Sequence, residues 1–389
     1  MTDKDRSLEQ PLLNVDDSSG AGPSGLPPPS FEESGGDAVV VFEDVDDTFH
    51  EEGEEPPEFM PYEAEHWISS AGEIISLDHH LNEDGEALYR FLLSQAETPP
   101  TFLIHCRGTH DETHTRFVNK TDSQGRQYTE SENDTETVTD FDFKIAQPVP
   151  PRALQWTVAD GEPAYRGRMN REVGLPGDTT KADGDTKKQF KDWREERRKR
   201  GLPPWVGPDD ERREGASFRT DVLKSSWTLR QWADDYCQSQ KIFKEFAYEK
   251  VIYGWDLGTL EAAIRAAIQS TNYYGDHVEV SFESGHRTVI VRPDRWISRA
   301  ISNPWLKFLL IITLIYPCIW LFQRLYRRGG GRWAVGGSGY ALKRRVRAAE
   351  GELIGEKEEE WMKRWEGTIR RSVMAKRVDS AEMIEPNTW

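Results

Sequence analysis

Trp305–Tyr326, WLKFLLIITLIYPCIWLFQRLY, is the stretch on which the reading of the whole chain turns. From Phe308 to Phe322 no residue is charged, and from Trp305 to Gln323 the only charge is Lys307. Those 19 residues, at ~1.5 Å rise each, reach about 28 Å, close to the ~30 Å hydrocarbon thickness of a bilayer. Phe, Leu, Ile and Trp cover every face of the helix, where a core helix keeps a polar stripe. Trp305, Phe308, Leu310, Ile312, Leu314, Pro317, Trp320 and Phe322 are therefore expected to span a membrane within one helix over 304–326. Trp305, Trp320, Tyr326 and Trp333 bracket it as interfacial aromatics, and Lys307 can snorkel to the headgroups. Pro317 has no N–H for the Thr313 carbonyl, which predicts a kink. The proline also admits a second geometry, a short re-entrant wedge with both ends on one side.

Flanking charge does not orient this segment. Four basic residues precede it (Arg287, Arg292, Arg295, Arg299) and five follow (Arg324, Arg327, Arg328, Arg332, Lys343). The N-terminus, MTDKDRSLEQPLLNVDD, has no apolar h-region, so residues 1–304 are expected in the cytosol, with the side of the tail open. The shortness of a single span suits a thin endomembrane such as the endoplasmic reticulum, with endosome and vacuole as alternatives. Just before it, Asp294–Ser302 sets Trp296, Ile297, Ala300 and Ile301 against Arg295 and Arg299, the pattern of a helix lying on a bilayer over 294–303.

The chain has 389 residues and a formal charge of −18, of which residues 1–64 carry 18 acids against Lys4 and Arg6. Past that tail the molecule is nearly neutral, so global acidity says little about partners. Cys106, Cys237 and Cys318 are too few for a disulfide scaffold or a four-cysteine zinc site. Residues 1–63 read as a disordered acidic tail, too poor in apolar residues to repay chain entropy. Within it, Glu9, Leu12 and Leu13 resemble an acidic dileucine signal for a coat adaptor. Pro28-Pro29-Ser30-Phe31 and Pro56-Pro57-Glu58-Phe59 resemble ligands of WW domains, with phenylalanine replacing the usual tyrosine.

The body reads as α+β, a mainly antiparallel sheet with flanking helices. Its first part, 64–158, holds an amphipathic helix over Asn82–Gln95, then strands over Thr101–Cys106, Thr113–Val118 and Gln127–Ile145, with a turn at 122–125. Residues 159–216 read as a charged mobile insertion. Its centre, Lys187–Arg200, carries 8 basic and 3 acidic residues. Lys187, Lys188, Lys191, Arg194, Arg197 and Arg198, with Arg295 and Arg299, are candidates for anionic lipid headgroups. Phe190 and Trp193 lie one turn apart but no stacking aromatics are interleaved through the rest of the basic run, so no nucleic-acid partner is expected. Residues 217–293 follow the order β-α-β-β, with a helix over Thr228–Ser239, a strand over Phe246–Trp255, a helix over Leu260–Thr271 capped by Asp256 or Thr259, and a hairpin of Asp276–Phe282 with Arg287–Arg292. Residues 327–389 read as a glycine hinge (Gly329–Gly331, Gly336–Gly339) and a charged helical tail, with Trp361, Trp365 and Ile369 free for a partner helix or the membrane interface.

No P-loop, GxGxxG, HExxH or GxSxG occurs. His105, Cys106, His110 and His114 lie in strand-like sequence, where four residues span about 13 Å, too far for two ligands of one zinc. Asp78-His79-His80 is a second candidate group. No cofactor and no metal are expected. Asn119-Lys120-Thr121 and Asn133-Asp134-Thr135 match the N-glycosylation pattern, as chance tripeptides often do. The sequence thus points to a single-pass, non-enzymatic adaptor or scaffold of the endomembrane system, with the bilayer, anionic lipid, coat adaptors and WW domains as partners. The alternatives are a membrane-bound enzyme using a histidine cluster and an anionic-lipid sensor.

Overall fold

The computed structural model describes residues 41–42, 61–121, 125, 127–207, 225–275, 277–326, 328–346 and 353–386. The dileucine candidates Glu9, Leu12 and Leu13, both proline–phenylalanine motifs and the turn at 122–124 lie outside the described residues.

The α+β class holds, and the sheets are mixed: most strand pairs are antiparallel, with parallel pairs among them. The larger sheet is 7-stranded. In spatial order it runs His66–Ile68, Ile74–Ser76, Thr288–Val291, Phe243–Tyr253, Gly330–Ala341 and Ala153–Thr157, with Tyr165–Arg168 pairing onto Gly330–Ala341. Phe243–Tyr253 is antiparallel to Thr288–Val291 and parallel to Gly330–Ala341. The second sheet is 4-stranded, in the order His277–Gly285, Thr101–Thr121, Gln127–Gln147 and Val378–Met383, its last pair parallel.

Each sheet is covered by two helices. Gly85–Glu97 starts at Asp84, whose side chain accepts from the Glu86 N–H, and Leu229–Gln238 starts at a capping box of Thr228 with Gln231. Their apolar stripes (Leu88, Phe91, Leu92; Trp232, Ala233, Tyr236) close on Phe246, Tyr248, Val289, Val291 and Trp333 of the larger sheet. Leu257–Gln269, capped by Asp256, and Glu358–Met374 cover the smaller sheet, packing Ile264, Ile268, Trp361, Trp365 and Ile369 on Ile104, Cys106, Phe141 and Phe143. The tail tryptophans therefore have their partner helix within the chain. Their burial removes them from any interface role, because the apolar stripe is spent on the core.

The glycine run is a buried central strand and not a hinge. Hydrogen bonding on both sides holds Gly330–Ala341 between Phe243–Tyr253 and Ala153–Thr157. Glycine is required by close approach: a Cβ at Gly337 would sit 1.8 Å from the Glu249 carbonyl oxygen. Trp333, expected at the membrane interface, is 1 % exposed and donates from Nε1 to Asp235 at 2.7 Å. The expected hairpin of Asp276–Phe282 with Arg287–Arg292 also divides. His277–Gly285 joins the smaller sheet and Thr288–Val291 the larger one, with His286 in the left-handed region (φ 55°) between them. In the stretch read as an insertion, Tyr165–Arg168 adds to the larger sheet, Glu172–Leu175 and Asp178–Lys181 form a small hairpin, and Gly184–Lys199 is helical.

Two expectations follow. Gly337→Ala should destabilise the fold by about 2 kcal/mol or more in denaturant titration, because backbone must move to admit a methyl group; a hinge glycine would tolerate the change. Lys250 is fully buried, its Nζ donating to the Thr98 carbonyl at 2.9 Å, and burial lowers its pKa from 10.5 to about 8. Below pH 8 the ammonium is retained in the folded state at a desolvation cost approaching about 3 kcal/mol. That cost disappears as pH rises through the interval from 8 to 10.5, where the unfolded chain binds the extra proton. Relative to Lys250→Met, the wild-type melting temperature should therefore climb across that interval.

Candidate functional site

The apolar stretch does not form one spanning helix. It folds as two short helices in contact, Pro304–Ile312 of 9 residues and Ile315–Leu325 of 11. Among the described residues no helix is long and apolar enough to cross a membrane. The chain reverses at Thr313 and Leu314, the latter in the left-handed region with φ 58°. Thr313 assists the reversal by donating its hydroxyl to the Leu309 carbonyl at 2.9 Å. Pro317 is accommodated by the break instead of kinking one helix. It stands at the third position of the second helix, where the missing N–H has no intrahelical acceptor to lose. Asn303 caps the first helix, accepting from the Trp305 and Leu306 N–H groups at 3.0 and 3.4 Å.

Both ends of this helical hairpin are tied to one sheet. The incoming strand ends at Val291, opposite Phe246, and the outgoing strand begins at Gly330, opposite Phe243. They flank the same end of the same central strand, so the segment leaves and re-enters the body at one edge. Phe322 packs on Phe243 at that base, ring centroids 6.1 Å apart. Much of the rest of the segment is bare. Trp305 is 80 % exposed, Leu314 68 % and Leu325 74 %, and Phe308, Leu309, Ile312 and Trp320 are exposed as well. Of the residues read as spanning, Leu310 and Pro317 are half-buried or exposed on the same hairpin. In the preceding helix, Trp296–Ser302, the buried side is Ser298 and Ala300 while Trp296 is exposed, so the apolar face is split between body and solvent. Arg299 is held by Asp294 at 2.7 Å, and Arg295 is exposed.

The basic helix Gly184–Lys199 lies over the outer face of the larger sheet, opposite the core helices. Period-two alternation puts Glu245, Ala247, Glu249 and Val251 on this face and Phe246, Tyr248 and Lys250 inward. Of the lipid-surface candidates, Arg194 is taken by Glu249, and Arg197 is buried, donating to the Pro204 and Val206 carbonyls at 2.7 and 3.0 Å. Burial, with Arg194 nearby, lowers the Arg197 pKa to about 10. Lys188, Lys191 and Arg198 are exposed and Lys187 is half-buried. Between helix and sheet is a cavity of about 570 Å³ whose walls include Trp156, Phe190, Leu202 and Val251.

The histidines do not converge. His79 meets Glu83 at 3.3 Å and His80 meets Asp84 at 3.5 Å, both exposed. His105 lies between Asp142 (2.7 Å) and Glu283 (3.1 Å). His110 lies between Asp140 (2.7 Å) and Glu112 (3.2 Å), and His114 is beside Glu112 at 3.5 Å. Along an extended strand His105 and His110 are about 17 Å apart. Among the described residues no group of three or more His, Cys, Asp or Glu is placed to hold a metal ion. The Cys106 thiol is buried and pushed up to about 12, which keeps it protonated and unreactive. Asn119 and Asn133 of the glycosylation tripeptides are exposed on the outer reach of the Thr101–Thr121/Gln127–Gln147 pair.

Sequence reasoning missed Asp140. The carboxylate is buried in a strand bulge and accepts from His110 Nδ1 (2.7 Å), the Tyr273 hydroxyl (2.9 Å) and Lys376 Nζ (3.0 Å). Those bonds hold it ionised below the ordinary carboxylate range and raise His110 above 6.5. Its partners come from three distant segments, a grouping with no local pattern to find. No family model, curated protein or solved structure matches this chain. In an NMR titration His110 should lose its proton above pH 6.5 in the wild type, and Asp140→Asn should bring that midpoint back towards 6.5.

Proposed function

We propose that this protein is a membrane-surface adaptor or scaffold whose helical hairpin enters one leaflet of a bilayer and holds the α+β body against it. The observation that carries this reading is the hairpin itself, a bare apolar projection whose two ends belong to neighbouring strands of a single sheet. Helices of 9 and 11 residues extend about 14 and 17 Å, roughly half the hydrocarbon thickness. A single span would put Thr288–Val291 and Gly330–Ala341 on opposite sides of the membrane, yet both pair with Phe243–Tyr253. The body on both sides of the hairpin in sequence thus shares one compartment. Matching a thin bilayer by span length, the argument for the endoplasmic reticulum, does not apply to a segment that enters one leaflet.

Trp296 and Trp305 at the base, and Arg324 stacked over Trp320 at 5.2 Å, suit the headgroup layer, where amphipathic side chains partition. So many exposed large apolar groups on one projection exceed what a monomer's aqueous surface ordinarily carries. Docking would then be the task of the body and of the peptide-like elements near Glu9-Leu12-Leu13 and the two proline–phenylalanine motifs. A catalytic reading has less support, since the histidines are distributed over separate carboxylates.

Leu309 and Ile312 are exposed, so Leu309→Asp/Ile312→Asp leaves the core intact. Each buried aspartate costs about 2.5–3.5 kcal/mol in a membrane, so vesicle flotation should fall by about a hundredfold or more. In a Cys318→Ser background, Glu65→Cys and Ser380→Cys should both react with an impermeant maleimide on intact vesicles, and Leu314→Cys only after detergent. Labelling of Glu65→Cys and Ser380→Cys from opposite sides would overturn the re-entrant geometry, and an unchanged supernatant fraction for the aspartate variant would overturn membrane binding.

A further inference from the structure

The cavity between Gly184–Lys199 and the outer face of the larger sheet is lined by 7 cations against 3 carboxylates, in a body that is nearly neutral once the acidic tail is set aside. Composition therefore does not account for the charge of this wall. Six of the cations, Arg171, Lys191, Arg194, Arg198, Arg287 and Arg332, come from four separate segments of the chain and meet only in the folded state. Concentrating like charges around a partly enclosed, low-dielectric space is unfavourable unless an opposite charge joins them.

The sheet supplies too few opposite charges of its own. Glu249 is shared by Arg194 and by Arg287, the latter at 3.4 Å. Four residues back along the strand and outside the cavity wall, Glu245 is shared in the same manner by Arg292 at 2.7 Å and Arg332 at 3.3 Å. Glu249 thus faces two guanidiniums, and the 7 cations of the wall outnumber its 3 carboxylates, Glu162, Glu195 and Glu249, which leaves a surplus of positive charge and of N–H donors on the cavity wall. Arg198 and Lys191 on the facing helix are exposed, and Arg171 stands 5.6 Å over the Tyr165 ring.

We propose that this cavity binds a multiply charged phosphate ester. Planar guanidinium forks match phosphate oxygens bidentately, and their number here suits more than one negative charge. The volume of about 570 Å³ lies within the range of small-molecule sites. Trp156, Phe190 and Leu202 give the walls an apolar surface for the carbon skeleton that carries the phosphates. The ester can arrive free in solution or as the headgroup of a lipid. Arg332 is two residues beyond Gly330, where the hairpin rejoins the body, so one end of the cavity opens beside the proposed membrane base. This inference does not rest on membrane insertion, since a soluble ester needs no bilayer.

The test uses the full chain in nonionic detergent, titrated calorimetrically with inositol hexakisphosphate. A second arm measures flotation with phosphatidylcholine vesicles doped with phosphatidylinositol phosphate, against vesicles doped to equal charge with phosphatidylserine. Lys191→Glu/Arg198→Glu reverses two cations that line the cavity. Lys187→Glu/Lys188→Glu reverses two on the same helix that do not. The first pair should weaken binding by about tenfold or more and the second by less than about twofold, with affinity falling as salt rises. Selective loss with the soluble probe identifies a free ester, and selective loss on phosphoinositide vesicles alone identifies the lipid headgroup; either supports the site. Equal weakening by both pairs, no weakening by either, or no binding in both arms overturns it. Flotation lost in the hairpin variant with soluble-probe binding intact separates this site from the membrane reading.

Discussion

The parallel ladder between Phe243–Tyr253 and Gly330–Ala341 is the constraint from which the rest follows. Parallel neighbours cannot be joined by a tight turn, so everything between Tyr253 and Gly330 is crossover. That crossover contains a helix, a strand given to the second sheet, a strand returned antiparallel to the first, and the apolar hairpin. Because the returning strand ends beside the place where the glycine strand begins, the oily segment must come back to where it started. A sheet cannot be shared across a bilayer, since backbone N–H and C=O groups would have to pair through hydrocarbon. Register in the sheet thereby dictates membrane topology in the proposed function.

The two faces of the same sheet are given to different work. Inward, Phe246, Tyr248, Val289 and Val291 join the helices in a dry core, with the Lys250 ammonium admitted only because the Thr98 carbonyl at a helix end accepts from it. Outward, Glu245 and Glu249 each gather two arginines from different elements. Partly exposed ion pairs contribute little to stability singly, so this outer network is better understood as a charged lining than as a brace. The helix read from sequence as a lipid-surface patch is divided by the same geometry. Arg194 and Arg197 turn to the body, while Lys188, Lys191 and Arg198 remain exposed.

Local signals survived folding where the physics is local. Asp256 caps its helix as expected, the helices read over Asn82–Gln95 and Thr228–Ser239 form with Asp84 and Thr228 as their caps, and Phe141, Phe143 and Ile145 alternate inward in a half-buried strand. The glycine run misled because flexibility and close packing use the same residue: glycine suits a linker, and equally a strand whose neighbours leave no room for a Cβ. Trp361 and Trp365 misled because an apolar helical stripe states that something must cover it and not what. Asp140 was invisible because its partners lie 30, 133 and 236 positions away.

Composition and hydropathy alone were enough to establish an α+β chain with one long apolar stretch, since burial preference and helix capping act over a few residues. Whether that stretch crosses or returns was not a property of its own residues. Pro317 is compatible with a kink inside one helix or with the first turn of a second, and the two differ little in local energy. The choice came from strand pairing far away in sequence, where Val291 and Gly330 are fixed on either side of one strand end. Likewise the surplus of arginines exists only after four segments meet, because charge becomes a site through proximity in space and not through order along a chain.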